Sequence, residues 1–173
     1  MTTPPPPAPA GVSLRPFAGP ADLLLKQSDS PFDDFGPIGL DPTRGLPPSS
    51  LDGSGGLVVL EDGVGVGSMS WHYTQWGPTA GSRAVMIGIS LVAHARGRGI
   101  GTAAQRQLVD LLLRHTRTHR IEAATEIGNI AEQRALTKAG FRQEGVIRES
   151  MWRDGAFHDS VLYSRLRTDP DPA

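Results

Sequence analysis

Leu91-Val92-Ala93-His94-Ala95-Arg96-Gly97-Arg98-Gly99-Ile100-Gly101-Thr102 joins two segments of opposite character. Upstream, Ala84 to Ala93 is apolar at almost every position, the pattern of a central strand buried on both faces. Downstream, Thr102 to about Thr116 repeats Ala104, Leu108, Leu111 and Leu112 at helical spacing. A buried strand thus runs into a glycine turn, and the turn runs directly into an amphipathic helix. Glycines there let the backbone bend sharply and approach a ligand closely. The N–H groups and positive dipole end of the helix favour phosphate oxygens. Arg96 and Arg98 can add charge-assisted hydrogen bonds. A Walker loop would end in Gly-Lys-Ser/Thr, which is missing here. A dinucleotide fingerprint would place a third glycine where Thr102 stands and would open an early parallel unit.

Working outward, Gly56 to Leu60 and Val64 to Tyr73 read as strands joined through Asp62-Gly63, a hairpin signal. Val12 to Pro16 reads as a first strand, and Pro20 suits the first turn of a helix carrying Leu23, Leu24 and Leu25. Ser28 to Gly56 is rich in Pro, Gly, Asp and Ser, with Phe32, Phe35, Ile38 and Leu40 as apolar anchors. A loop that long inside a compact domain is typically a lid or a substrate loop. Toward the C-terminus, Ile121 to Ile127 is strand-like and Asn129 to Ala139 helical. Phe141 to Trp152 and Phe157 to Leu166 pair across Asp154-Gly155. The expected fold is α+β: a mixed, strongly bent central sheet with helices on both faces. It forms one domain over residues 12–168, between a disordered Pro-rich tail at 1–11 and a polar tail at 169–173.

The chain has 173 residues, 38 % of them hydrophobic, with a formal net charge of −1. That balance excludes a dedicated nucleic-acid binder, which needs a basic excess to displace counterions, and a polybasic membrane-surface protein. There is no cysteine, so disulfides, thiolate nucleophiles and cysteine metal sites are ruled out. MTTPPPPAPAG lacks the basic and apolar regions of a signal peptide, and the apolar runs are too short for a membrane span. The expected location is the cytoplasm. His115 and His119 are four apart but sit among Arg114, Arg117 and Arg120, the composition of a solvated helix end. No metal site is expected.

Two motifs together point to a family. Arg96-x-x-Gly99-x-Gly101 resembles the acetyl-CoA motif Gln/Arg-x-x-Gly-x-Gly/Ala of the GNAT superfamily. Asn129-Ile-Ala-Glu-Gln-Arg134-Ala-Leu-Thr-Lys138-Ala-Gly140-Phe141 is similar to its Asn-x-x-Ser-x-x-x-x-x-Lys-x-Gly-Phe helix. Arg142-Gln-Glu-Gly145-Val-Ile-Arg148 and Asp159-Ser-Val-Leu-Tyr163-Ser-Arg-Leu continue the likeness, most of all to the branch acetylating ribosomal-protein N-termini and small amines. The resemblance implies that the strands ending at Ala93 and Ile127 splay apart and that acetyl-CoA lies in the wedge, as co-substrate. Leu91, Val92, Arg96, Gly97, Arg98, Gly99, Ile100, Gly101 and Thr102 would bind it, with the pyrophosphate on the Arg96–Thr102 turn and Asn129 on the pantetheine arm. A backbone N–H at Leu91 or Val92 would hold the oxyanion.

Locally, Asn129 is a good helix N-cap, Glu132 completes a capping-box pattern and Gly140 suits the C′ position. Glu132 stands where the family often has Ser. Leu136 stands where some relatives carry a Tyr that protonates the leaving thiolate. Strand alternation puts Glu122, Ala124 and Glu126 on one face. Relatives with a Glu base on this strand have it at the place of Ala124, and Glu126 lies two residues along. Glu126 is therefore the expected catalytic base. The acceptor would be a small-molecule amine or a peptide N-terminus, and the protein a monomer or homodimer. A non-catalytic acyl-CoA sensor, a transferase for longer acyl groups and a nucleotide-binding module remain as alternatives.

Overall fold

Two tight turns set the register of the sheet. Asp62 and Gly63 (φ +49° and +82°) and Asp154 and Gly155 (φ +50° and +74°) both take left-handed backbone. Each forms a two-residue hairpin loop whose twist matches its flanking strands, closing Glu61 on Val64 and Arg153 on Ala156. The computed structural model describes residues 11–26, 29–35 and 45–172. The Pro-rich tail at 1–10 and the loop anchors Ile38 and Leu40 lie outside the described residues.

The strands are β1 (Val12–Arg15), β2 (Gly55–Glu61), β3 (Val64–Gln75), β4 (Arg83–Leu91), β5 (Arg120–Glu126), β6 (Arg142–Arg153) and β7 (Ala156–Leu166). Two α-helices, α1 (Ile100–His115) and α2 (Ile130–Lys138), follow β4 and β5. The sheet runs β1-β2-β3-β4-β5-β7-β6, antiparallel except where β4 meets β5. This is the mixed α+β architecture expected. Most boundaries shift by a residue or two, and three differences bear on the site. β4 stops at Leu91 because Ala93–Ala95 coil into a 3-10 turn, in which the Ala95 N–H donates to Val92 O at 3.0 Å. α1 begins at Ile100, ahead of Thr102. Pro20–Lys26 is a 3-10 helix.

The two faces of the sheet are covered differently. Leu57 and Val59 belong to the main core with Ile100, Ala104, Leu108 and Leu112 of α1 and Leu136 of α2. α1 and α2 touch and share this face. Val58 points the other way, toward Leu25 of the 3-10 segment, which also packs over Gly65. Ile100, Leu108 and Leu112 are fully buried. Burying each such side chain contributes about 1.5–3 kcal/mol, well above the propensity spread of roughly 0.7 kcal/mol per ordinary helical residue. Packing, rather than propensity, therefore holds α1 against the sheet. Among the described residues no helix is long and apolar enough to cross a membrane.

Gly140 ends α2 as expected, with φ +91°. The Phe141 N–H donates to Leu136 O at 3.0 Å and the Gly140 N–H to Thr137 O at 3.1 Å, a Schellman closure. A Cβ on Gly140 would also lie 2.6 Å from an Arg165 guanidinium nitrogen. Gly140→Ala is expected to lower stability by about 1–2 kcal/mol from the left-handed backbone alone. A smaller midpoint shift in urea unfolding would show that α2 ends in another way.

Candidate active site

The two central strands part company. β4 pairs with β5 only at Ala84, Val85 and Met86, against Arg120, Ile121 and Glu122. β4 stays bound to β3 as far as Leu91↔Gly67, and β5 to β7 as far as Glu126↔Ser160. The sheet therefore opens between Ile87–Leu91 and Ala123–Glu126. The Val92 N–H donates to Val66 O at 3.0 Å, which makes Leu91↔Gly67 a non-hydrogen-bonded pair. Leu91, and Ile89 two residues before it, consequently turn their N–H groups away from β3 and into the opening. Val92, also an expected site residue, uses its N–H on Val66 and its C=O on Ala95. Of the two oxyanion candidates, only Leu91 faces the cleft.

The turn after β4 is set by Gly97 (φ +71°) and Gly99 (φ +83°), with Gly99 at the N-cap of α1. The Ala103 N–H bonds back to Gly99 O at 3.0 Å, while Ile100, Gly101 and Thr102 are first-turn residues whose N–H groups have no partner within the helix. Arg96 does more than present a charge. Its Nε donates to Leu91 O at 2.9 Å and its guanidinium pairs with Asp29, which ties the turn to the end of β4. Arg98 pairs with Glu61 of β2 at 2.7 Å and is not among the residues lining the cleft. Instead, Arg134 and Lys138 of α2 line it with Arg96, Gly97, Gly99, Gly101 and Thr102, around a cavity of about 380 Å³.

Asn129 caps α2, its Oδ1 accepting from the Glu132 N–H at 3.3 Å. The reciprocal half of a capping box is not made. The Asn129 N–H goes to Glu126 O, and the Glu132 carboxylate reaches across to the buried Gln105 amide of α1. Leu136, where some relatives place an acid, is buried in the core.

On its other side the opening widens into a second cavity of about 250 Å³ against Phe32, Phe35, Gln105, Glu126 and Met151. Glu126 lies there, as strand alternation requires, but it is not a solvated carboxylate. It is buried, with Arg153 donating to its oxygens at 2.8 and 2.9 Å and His158 Nδ1 at 3.6 Å. The Arg153 hydrogen bonds hold its pKa below the ordinary value, outweighing the opposing effect of burial. Glu126, the expected base, is therefore ion-paired, and a carboxylate so stabilised is a weaker base than a free one. Glu132 is the reverse case. Burial pushes it up to about 7, the Gln105 hydrogen bond opposing and the charge of Asp33 adding to the rise.

Residues 47–142, from the loop before β2 to the start of β6, match the family model described as Acetyltransferase (GNAT) domain. The chain belongs to the GNAT acetyltransferase family. The match takes in both the glycine turn and Asn129. Two Bacillus subtilis (strain 168) proteins are similar to the chain. "Probable N-acetyltransferase YjcK" is 35% identical over 85 residues, 49% of this chain and 47% of its own. "Putative ribosomal N-acetyltransferase YdaF" is 29% identical over 111 residues, 64% of this chain and 58% of its own. The solved structure of Mycobacterium smegmatis RimJ in complex with CoA-disulfide aligns with a TM-score of 0.59 at 27% identity, over 65% of this GNAT chain and 53% of that one. The chain thus spans about half the length of the curated relatives it matches.

Sequence reading overlooked Gln105, Met151 and the cavity role of Glu132. Gln105 was hidden by helical spacing, since it sits among the buried positions of α1 as the one long polar side chain. That polar intrusion was the available signal. The ion pair has a pH signature. The folded-state pKa of Glu126 is depressed, so the pair stabilises the protein above the unfolded value near 4.3 and is lost as pH falls through the folded one. Arg153→Met is expected to lower the urea midpoint at pH 7, with the gap to wild type narrowing below about pH 4. A gap independent of pH would mean that Arg153 stabilises through packing alone.

Proposed function

We propose that this protein transfers an acetyl group from acetyl-CoA to a primary amine, either a peptide N-terminus or a small molecule, by direct attack on the thioester. The observation that carries this reading is the parting of β4 and β5, which runs without a break into the left-handed Gly97–Gly99 turn at the N-terminus of α1. The fit to acetyl-CoA is chemical as well as geometric. The first-turn N–H groups of α1 suit a pyrophosphate. Arg96, Arg134 and Lys138 supply positive charge along the same cavity. The Leu91 and Ile89 N–H groups suit the carbonyl oxygens of an extended pantetheine chain and its thioester. Because the α2 cap uses Oδ1 of Asn129, its Nδ2 is the group that can donate to the arm.

Leu91 N–H would then stabilise charge on the acyl oxygen as the amine attacks. The cysteine-free chain needs no covalent acyl-enzyme, and a thiol of pKa about 8.5 is a tolerable leaving group. The acceptor would enter past Phe32, Phe35 and Met151, where Asp33 and Glu126 favour a cationic amine. Likeness to the relatives named above favours a peptide α-amine, whose pKa of about 7.7–8.0 leaves an appreciable free-base fraction at neutral pH. The cysteine-free composition fits a cytoplasmic setting, and the protein would act as a monomer or homodimer.

The test couples binding to turnover. Acetyl-CoA should bind by calorimetry, and a panel of ribosomal-protein N-terminal peptides and small amines should release CoA in an acceptor-dependent way. Gly99→Asp should abolish binding by placing a side chain on left-handed backbone and a negative charge where phosphate must approach. Arg96→Ala should weaken it about tenfold or more, since a hydrogen bond to a charged group is worth roughly 1.5–3 kcal/mol. Tight acetyl-CoA binding without release for any amine would make the protein a sensor. Unchanged affinity in both variants would remove the cofactor from this turn.

A further inference from the structure

Asp33, Ile89, Asn129 and Glu132 line both cavities, the one beside the glycine turn and the one beside Glu126. Asp33 is exposed on a loop, while Glu132 sits on the first turn of α2, partly buried, at the point where the two meet. Any thioester whose pantetheine follows β4 and whose acyl group reaches the acceptor side must pass this carboxyl. Gln105 of α1 fixes it by donating from Nε2. Gln105 is itself 1% exposed, and its Oε1 is buried without a hydrogen-bond partner.

Resting on the acetyl-transfer reading above, we propose that Glu132 is the proton relay of the reaction, accepting a proton from the attacking nitrogen and passing it to the departing sulfur. The balance is complete without a further reagent. A neutral amine uses its lone pair to form the C–N bond, and the carbonyl π pair moves onto oxygen, against the Leu91 N–H. Glu132, as carboxylate, takes one proton from the now cationic nitrogen. The carbonyl re-forms, the C–S bond breaks with its electron pair on sulfur, and Glu132 returns the proton there. Amide and CoA thiol leave, and the carboxylate is restored. One carboxyl serves both transfers because it faces both cavities.

The groups around Glu132 are consistent with that role. Gln105 faces it from α1 and Asp33 from the N-terminal loop, with Glu126 across the acceptor cavity and Arg96, Arg134 and Lys138 along the other. Its position near 7 keeps proton gain and loss both accessible at neutral pH. Glu126, clamped by Arg153, lacks this property.

The decisive experiment is the pH dependence of kcat for acetyl transfer to a peptide amine, together with acetyl-CoA affinity by calorimetry. Wild type should show an ascending limb near pH 7. Glu132→Gln should lower kcat by roughly 10²-fold or more, leave acetyl-CoA affinity within a few fold and leave only the limb of the acceptor amine, near its own pKa of about 7.7–8.0. Asp33→Asn, at an exposed position that does not threaten folding, should shift the limb to lower pH by removing a like charge. Retained kcat and limb in Glu132→Gln, or an unmoved limb in Asp33→Asn, would overturn the relay. The Asp33 variant decides the matter even if Glu132→Gln does not fold. Absence of transfer by wild type would instead overturn the acetyl-transfer reading itself.

Discussion

Everything at the centre of this protein follows from two parallel strands that pair for three residues and then separate. Backbone N–H groups on a strand are obligatory hydrogen-bonding groups, and leaving them without a strand partner is costly unless something else satisfies them. β4 and β5 accept that cost because each is fully supported on its outer side, β4 by β3 and β5 by β7. The sheet behaves as two half-sheets joined at Ala84–Met86. Their divergence presents Ile89 and Leu91 as a strip of donors awaiting an extended partner. The same divergence delivers the chain to the Gly97–Gly99 turn and so aims the α1 N-terminus along the strip.

The helices on the opened face complete the cleft. α1 is held by fully buried Ile100, Leu108 and Leu112, and α2 is fixed at one end by Asn129 and at the other by Gly140. Neither cap is incidental to the site. The Asn129 cap places Glu132 one turn in, and the absence of a reciprocal capping-box bond frees its carboxylate to reach Gln105. Glu126 ends β5 and Glu132 sits on the first turn of α2, and their surroundings separate the two carboxyls. Glu126 meets a guanidinium and is held down, whereas Glu132 meets a neutral amide, a like charge and little water, and is pushed up. Acid–base character here is assigned by neighbours rather than by residue type.

That distinction also marks where sequence reading stops. Strand and helix order, both Asp-Gly hairpins, the Gly99 turn and the Gly140 stop were legible because each depends on a few adjacent residues with a strong local preference. The α2 cap was legible at Asn129 for the same reason. The Glu126–Arg153 pair was not, because its partners lie on β5 and at the tip of the β6–β7 hairpin and meet only through the fold. The Arg98–Glu61 pair was not legible on similar grounds, since nothing local indicates that Glu61 on β2 comes within reach. Glu132 was read as a cap because local chemistry favours that role, while Gln105 faces it from another helix.

The central claim is that the strip of β4 amides opened by strand divergence is the seat of acetyl-CoA. Residue-resolved amide hydrogen exchange with and without saturating acetyl-CoA tests it most directly. Ile89 and Leu91 should become strongly protected on binding, while Ser90 and Val92, already bonded to β3, should change little. Saturation by acetyl-CoA with unchanged exchange at Ile89 and Leu91 would contradict the account and place the cofactor elsewhere.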